Sequence, residues 1–303
     1  MRKDDLNGLQ ECGLLDIATA KNACGELKVA DIPAYVSELL SATRYYDLLK
    51  IIDLRDAEYH GGTSLSSGVL PKWDFDDINA FIKVCSKSRE GKWQADALHE
   101  SYVMDLFAET GAVVAEAVPA YVLFWNAETK QDEIRQCEVA LKFSGEVTYY
   151  RDLRKLRKYG KNADEIIEFT EEFPGAALGL LNMFAVDYVT NQEDRHAKNF
   201  GVLHNGEFTP LYDNGRCLFY SESDDKLHLF GDEVAQVKFL AKDSFFILDR
   251  YINWLGMKPN IDWDKVLSNL DMIDVKYRHI LSKKRLDFNR SVVARRVASA
   301  RKL

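Results

Sequence analysis

The stretch from Asn191 to Gly215, NQEDRHAKNFGVLHNGEFTPLYDNG, holds residues whose types and spacing can do chemistry. It contains two aspartates, Asp194 and Asp213, and an asparagine, Asn199. Asn205-Gly206 is a strong hairpin signal, because both central residues of a type I′ turn need positive φ. The flanks NFGVL and EFTPLYD read as strands. A turn centred on 205 and 206 sets Asn199 opposite Tyr212, beside Asp213. At ~3.3 Å per residue, Asn199 and Asp213 then meet at the open end of the hairpin, next to Asp194. The donor set is oxygen only. Hard oxygens suit Mg²⁺, which takes one or two carboxylates and completes its shell with substrate phosphates. A further carboxylate there can accept a proton from an attacking hydroxyl, which makes the set one for phosphoryl transfer. Asp, Asn and Gly also decorate ordinary turns; the second aspartate at the far end of the hairpin separates the two readings.

The elements that must position this stretch follow from pattern. Residues 1–56 read as a helical extension, with Ile32 to Leu49 apolar at helical spacing and Pro33 in the first turn. The Gly/Ser-rich run 60–72 is a loop. Phe81 to Cys85 is strand-like, and Asp96 to Thr110 reads as a helix capped by Asp96 and ended by Gly111. Val113–Val118, Tyr121–Trp125 and Ile134–Phe143 read as strands. Beyond residue 150 the chain turns helical, and Ala176–Thr190, apolar nearly all round, is expected to be a buried central helix. The expected fold is α+β in two lobes, a small β-rich N-lobe (57–143) and a larger, mainly helical C-lobe (144–303). A cleft between lobes is a usual ligand site.

These residues carry a resemblance. Asn191-x-x-Asp194-Arg195-His196-x-x-Asn199-Phe200-Gly201, followed by Leu211-Tyr212-Asp213-Asn214-Gly215, is similar to the signature of the HipA-like kinases, bacterial Ser/Thr kinases with a protein-kinase-like fold. The core more distantly resembles phosphatidylinositol kinases, although those usually continue to an Asp-Phe-Gly-type triplet where this chain has Asp213-Asn214-Gly215. The resemblance implies ATP and Mg²⁺ as cofactors, Asp194 as catalytic base, and Asn199 and Asp213 as metal holders. Upstream, Ser64-Leu65-Ser66-Ser67-Gly68-Val69-Leu70-Pro71-Lys72 resembles the family's phosphate loop, which makes Ser64, Ser66, Ser67 and Gly68 nucleotide contacts and Ser66 and Ser67 autophosphorylation candidates. Lys83 on the following strand is the expected ATP lysine and Glu100 its helix-borne partner. The strand ending at Lys142 and Phe143 is the expected adenine hinge. Each also has a plainer reading: a strand lysine facing solvent, a first-turn acid, serines that only bond their own loop. His196 either contacts the transferring phosphate or hydrogen-bonds the loop backbone; Arg195 either balances the acids or binds a phosphorylated residue. A lipid or small-molecule kinase, and a pseudokinase or regulatory module, are the alternatives.

Composition bounds the rest. With 303 residues, 47% hydrophobic and 12% aromatic, the chain can bury a large core, which excludes disordered, fibrous and disulfide mini-protein classes. Five cysteines without a CxxC pair read as reduced thiols. The N-terminus lacks an apolar signal region and no stretch suits a bilayer, so a cytoplasmic location is expected. The partner is expected to be a protein substrate, with an antitoxin-like protein the open second. The net charge of −8 argues against general nucleic-acid binding. It averages −17 over residues 1–275 with +9 over 276–303, where ten Lys/Arg face only Asp287. That tail fits a helix, either docked on the acidic larger lobe or offered to an acidic partner or nucleic acid. As it lies outside every motif, deleting 289–303 is expected to leave turnover intact.

Overall fold

The computed structural model describes residues 17–45, 47–57, 72–85, 96–126, 130–143, 146–157, 165–238 and 240–303. The expected phosphate loop, with Ser64, Ser66, Ser67 and Gly68, lies outside them. The chain divides into two compact units.

The first comprises Met1–Tyr102, Glu116–Lys142 and Met272–Leu286. Its described elements begin with α1 (Ile17–Cys24), β1 (Glu26–Leu27), α2 (Ile32–Leu40) and β2 (Ile51–Asp53). They continue with β3 (Lys72–Phe75), β4 (Ala80–Val84), the first part of α3 (Asp96–Phe107), β5 (Ala117–Asn126) and β6 (Gln131–Leu141). The six strands form one sheet in the order β1-β2-β5-β6-β4-β3. The sheet reaches further toward the N-terminus than the sequence suggests, since β1 and β2 add parallel strands beside β5. The helix expected over 32–49 stops at Leu40, where the Ser41 hydroxyl bonds back to the Glu38 carbonyl at 2.9 Å. Tyr45 and Leu49 are buried all the same. Tyr45 meets Tyr277 edge-on at 5.2 Å, so the apolar spacing reflects burial of single residues in a loop.

The two strands expected at 113–118 and 121–125 are largely one, β5, with Pro119 inside it. Tyr121 N–H donates to Lys50 O at 3.0 Å, so the amide position two residues earlier points to the same side, before the pairing with β2 begins. A missing N–H costs no ladder bond there. Burial alternates along β4: Ala80, Ile82 and Val84 face the core and Lys83 lies on the other face. Lys83 sits directly across from Glu138 of β6.

The second unit comprises Val103–Ala115, Phe143–Asp271 and Asp287–Leu303. Its elements are β7 (Val147–Tyr149), α4 (Tyr150–Arg157), α5 (Glu165–Glu172), α6 (Ala177–Thr190) and β8 (Gly201–Leu203). There follow β9 (Gln236–Val237), β10 (Lys242–Asp243), α7 (Ser244–Leu255) and most of α8 (Trp263–Lys276) and of α9 (Lys283–Ala300). As expected, α6 is buried from Leu180 to Thr190. It packs on α7, with Phe184 stacked on Tyr251 at 5.0 Å and Tyr188 against Phe245 at 5.0 Å. Tyr150, Phe200 and Phe208 form a second aromatic stack, with centroids 4.8 and 5.9 Å apart. Among the described residues no helix is long and apolar enough to cross a membrane.

The basic tail is part of this core. On α9, Val292, Val293 and Val297 are fully buried, and Arg296 is 3% exposed. Arg296 donates to the carbonyls of Tyr188 at 2.7 Å and Glu233. Arg290, Arg295 and Arg301 pair with Asp271, Asp232 and Asp264 at 2.8, 2.6 and 2.5 Å. Exposed pairs of that kind contribute little; three buried valines contribute roughly 5 kcal/mol even at the lower end of the usual range. Of the two expectations for the tail, this is the docked one, and deletion of 289–303 removes packed core. We expect that deletion to abolish the cooperative thermal transition of this unit, read by differential scanning calorimetry; an unchanged transition would show that α9 is not core.

Candidate active site

The central helix ends where the chemistry-bearing loop starts. Asn191 caps α6 in the left-handed region (φ 54°), the conformation that commonly ends helices. Its Oδ1 accepts the Ala235 N–H at 2.9 Å. Gln192, 1% exposed, then bridges the two aspartates through their backbones. Its Oε1 accepts the Asp194 N–H at 3.1 Å and its Nε2 donates to the Asp213 carbonyl at 3.1 Å.

Arg195 is the hub. It is fully buried and forms a forked pair with Asp187 of α6, with Nε and Nη2 2.9–3.1 Å from the carboxylate. Its Nη1 donates to the carbonyls of Asn199 at 3.2 Å and Tyr212 at 2.9 Å, and its Nη2 to Asn214 Oδ1 at 2.6 Å. One guanidinium thus ties the loop that carries Asn199 to the segment that carries Asp213. Its partner is the buried Asp187, and neither the exposed acids nor a bound phosphate is needed to balance it. The 212–214 contacts also give Asn214 its reason. Asn214 Oδ1 supplies the acceptor for Nη2.

The hairpin joining Asn199 to Asp213 differs in register from expectation. Gly206 N–H donates to Leu203 O at 2.9 Å, Leu203 N–H to Glu207 O at 2.8 Å, and Val202 bridges Phe208. The loop therefore has three residues, with Gly206 alone at positive φ (81°) and Asn205 outside that region. This turn and αL-glycine geometry shifts the pairing by one, setting Asn199 opposite Leu211. The regular partner of β8 is β7, and at Gly201 an added Cβ would lie 2.3 Å from Thr148 O. The glycine after Phe200 is thus required by the close approach of that strand.

Asn199 is 2% exposed, and its Nδ2 points at the Asp194 carbonyl at 3.4 Å, leaving Oδ1 as its ligand-capable atom. Asp213 adopts left-handed φ (57°), which Asp tolerates better than most residues. His196 Nδ1 accepts the Lys198 N–H at 3.3 Å, the backbone-bonding role. Burial lowers the His196 pKa, while the charges of Asp194 and Asp213 act in the opposite direction. Among the described residues no group of three or more His, Cys, Asp or Glu could hold a metal. The donor set remains one amide oxygen and one carboxylate, which fits a Mg²⁺ that draws its other ligands from water and phosphate.

Asp194 is 17% exposed, and each of its carboxylate oxygens meets a cation. Arg216 Nη1 lies 2.8 Å from Oδ2, and Lys238 pairs with Oδ1. Neither cation carries a local sequence signal that ties it to Asp194. Beside them, burial pushes the Glu193 carboxyl up to about 7, with Glu222 and Asp194 adding and Lys238 and Arg216 opposing. The folded state therefore keeps this proton from 4.5, the ordinary value, to about 7, while the unfolded chain has released it. Stability from Glu193 is full below 4.5 and is lost as pH rises through about 7. Allowing for solvent screening the loss is about 1–2 kcal/mol. Glu193→Gln should flatten the fall in melting temperature between pH 5 and 8; an unchanged slope would show that the side chain titrates normally.

In the sheet-bearing unit, Lys83 Nζ lies 3.1 Å from the fully buried Glu138 Oε1 and 5.2 Å from the Phe81 ring centroid. Glu138 is a partner that sequence reading missed, although a strand register would have exposed it. Glu100 is 5% exposed on α3. Lys142 N–H is committed to Asn79 O at 2.8 Å, and its ammonium pairs with Asp74 and with Asp76 at 2.5 Å. Phe143, in the other unit, lies 5.5 Å from the Tyr212 ring. Burial pushes the Cys85 and Cys137 thiols up, away from nucleophilic use.

The chain matches no protein-family profile. It matches no curated protein sequence either. It is similar in structure to the Helicobacter pylori proinflammatory kinase CtkA, with a TM-score of 0.57 and 16% identity over 83% of this chain and 97% of that one. At that identity the likeness is one of fold: α+β and kinase-like, with a β-rich and a mainly helical part.

Proposed function

We propose that this chain is a HipA-like protein kinase that transfers the γ-phosphoryl group of ATP, with Mg²⁺, to a Ser or Thr hydroxyl. The observation that carries this reading is the Arg195–Gln192 framework, which binds the loops of Asp194, Asn199 and Asp213 into one piece. Phosphoryl transfer asks the protein chiefly for positioning and charge. In this reading Asp194 accepts the proton of the acceptor hydroxyl, and Asn199 Oδ1 with the Asp213 carboxylate holds Mg²⁺. Lys83, steadied by Glu138, neutralises the nucleotide phosphates, and His196 shapes the loop as a neutral imidazole. ATP bound with the metal supplies the phosphoryl group. The fold likeness to a kinase supports the reading, as does the oxygen-only donor set. Ser66 and Ser67 are proposed acceptors in the chain itself. Phosphate there would add close to two negative charges to the loop proposed to hold nucleotide phosphates, so it should inhibit.

The test is incubation of the purified protein with γ-labelled ATP and Mg²⁺, alone and with protein, lipid and small-molecule acceptors, and location of the label by mass spectrometry. Label on Ser or Thr of protein supports the reading. Label confined to lipid or small molecules would replace the acceptor class, and ATP binding without any turnover would make the chain a pseudokinase.

A further inference from the structure

For Asp194 to take a proton from a hydroxyl, one of its oxygens must come within about 2.6–3.2 Å of that hydroxyl. Each oxygen meets a cation brought from a distant segment, so an incoming hydroxyl competes with a cation for the carboxylate. Arg216 is anchored: its carbonyl accepts the Glu193 N–H at 2.8 Å, and its guanidinium lies 5.9 Å from the Tyr220 ring centroid. Lys238 is the displaceable one, with a flexible four-carbon stem and a side chain 52% exposed. Its backbone is nonetheless fixed to the same machinery. Val237 is fully buried, Asn191 holds Ala235 N–H at 2.9 Å, and Arg296 holds the Glu233 carbonyl. The residue that opens the Asp194 loop and the buried arginine of α9 thus deliver this lysine to the carboxylate.

We propose that Lys238 is a displaceable cap on Asp194. It closes the carboxylate while no acceptor is bound, and once an acceptor hydroxyl takes Oδ1 its ammonium stays beside the acceptor oxygen. This rests on the kinase reading. In the step, the hydroxyl proton passes to Asp194, the acceptor oxygen bonds to phosphorus, and the bond from phosphorus to the ADP oxygen breaks. Lys238 gains and loses no proton; it offsets negative charge that gathers at the acceptor oxygen. With the cap on, water is a poor acceptor, because it must compete with the two cations for the carboxylate that would orient it.

The test follows phosphoprotein formation and release of inorganic phosphate in the same reactions, using the full chain, labelled ATP, Mg²⁺ and dephosphorylated casein. Lys238→Met should lower transfer roughly 10–100-fold, below the full effect of losing a buried donor because this cation is half exposed. It should also raise the ratio of phosphate released to phosphoprotein formed several-fold, and Lys238→Arg should restore both. A structural role alone would lower both products together and leave that ratio unchanged, which would overturn the proposal. Labelling of Lys238 by an amine-reactive reagent reads the cap without turnover. The rate should rise several-fold in Asp194→Asn, and equal rates in the two proteins would overturn the cap. A wild-type protein silent in both products would overturn the kinase reading and this one with it. An active wild type with an unchanged Lys238→Met variant overturns this one alone.

Discussion

Asp194→Ala is expected to reduce phosphoryl transfer by on the order of 10²–10⁴ while leaving the fold in place. The expected size follows from the loss of a positioned proton acceptor. The expectation for stability follows from what surrounds the carboxylate. Its two partners, Arg216 and Lys238, have side chains 31% and 52% exposed, so water replaces the lost ion pairs. Pairs of this kind contribute about 0–1 kcal/mol. The loop does not depend on the carboxylate, because Gln192 holds Asp194 through its backbone N–H and Asn199 meets its carbonyl. The melting temperature should therefore move little while turnover in the labelled-ATP assay nearly disappears. Turnover within a factor of two of wild type would remove Asp194 from the proposed chemistry.

The second large effect is opposite in kind. Arg195→Met is expected to destabilise the helical unit by about 3–5 kcal/mol, because it leaves the buried Asp187 carboxylate without its counter-charge. Domains are stable by about 5–15 kcal/mol, so this is a large share. Burial already pushes the Asp187 carboxyl up, against the pull of the guanidinium, and removal of Arg195 takes that pull away. Part of the loss should return in the double variant Asp187→Leu/Arg195→Met, in which no buried charge is left alone. Full recovery is not expected. The carbonyls of Asn199 and Tyr212 and the Asn214 side chain would still lack their donor. Denaturant unfolding of the three variants measures both effects. A single variant as stable as wild type would show that the pair does not hold the loops.

The contrast between these residues explains which parts of the site could be read in advance. Asp194 and Asn199 share one loop, and Asp213 follows a short hairpin, so local spacing alone brings them near one another. The register was misread by one residue because Asn205-Gly206 suits two turn types. Only the hydrogen bonds around Gly206 distinguish them. Glu138 was missed for a related reason: its tie to Lys83 crosses two strands whose register no local pattern states. Arg195 was visible, but its partner was not, since an aspartate inside an apolar helix does not reveal what it faces. Gln192 stands at a position that the motif leaves open, and an amide there carries no signal of its own.

The amino-acid sequence by itself determined the residue chemistry: an oxygen-only set within one segment, a buried helix before it, and a strand pattern bearing Lys83. Those follow from side-chain type and from periods of 2 and 3.6 residues, which act over a few residues at a time. Tertiary structure alone decided which charges are structural and which face the chemistry. The +9 tail became a core helix because Val292, Val293, Arg296 and Val297 find buried places against elements far away in the chain. Lys238 came to Asp194 from 44 residues away because Asn191 and Arg296 pin the segment that carries it. Burial and long-range pairing depend on where the whole chain goes, and no window of sequence contains that.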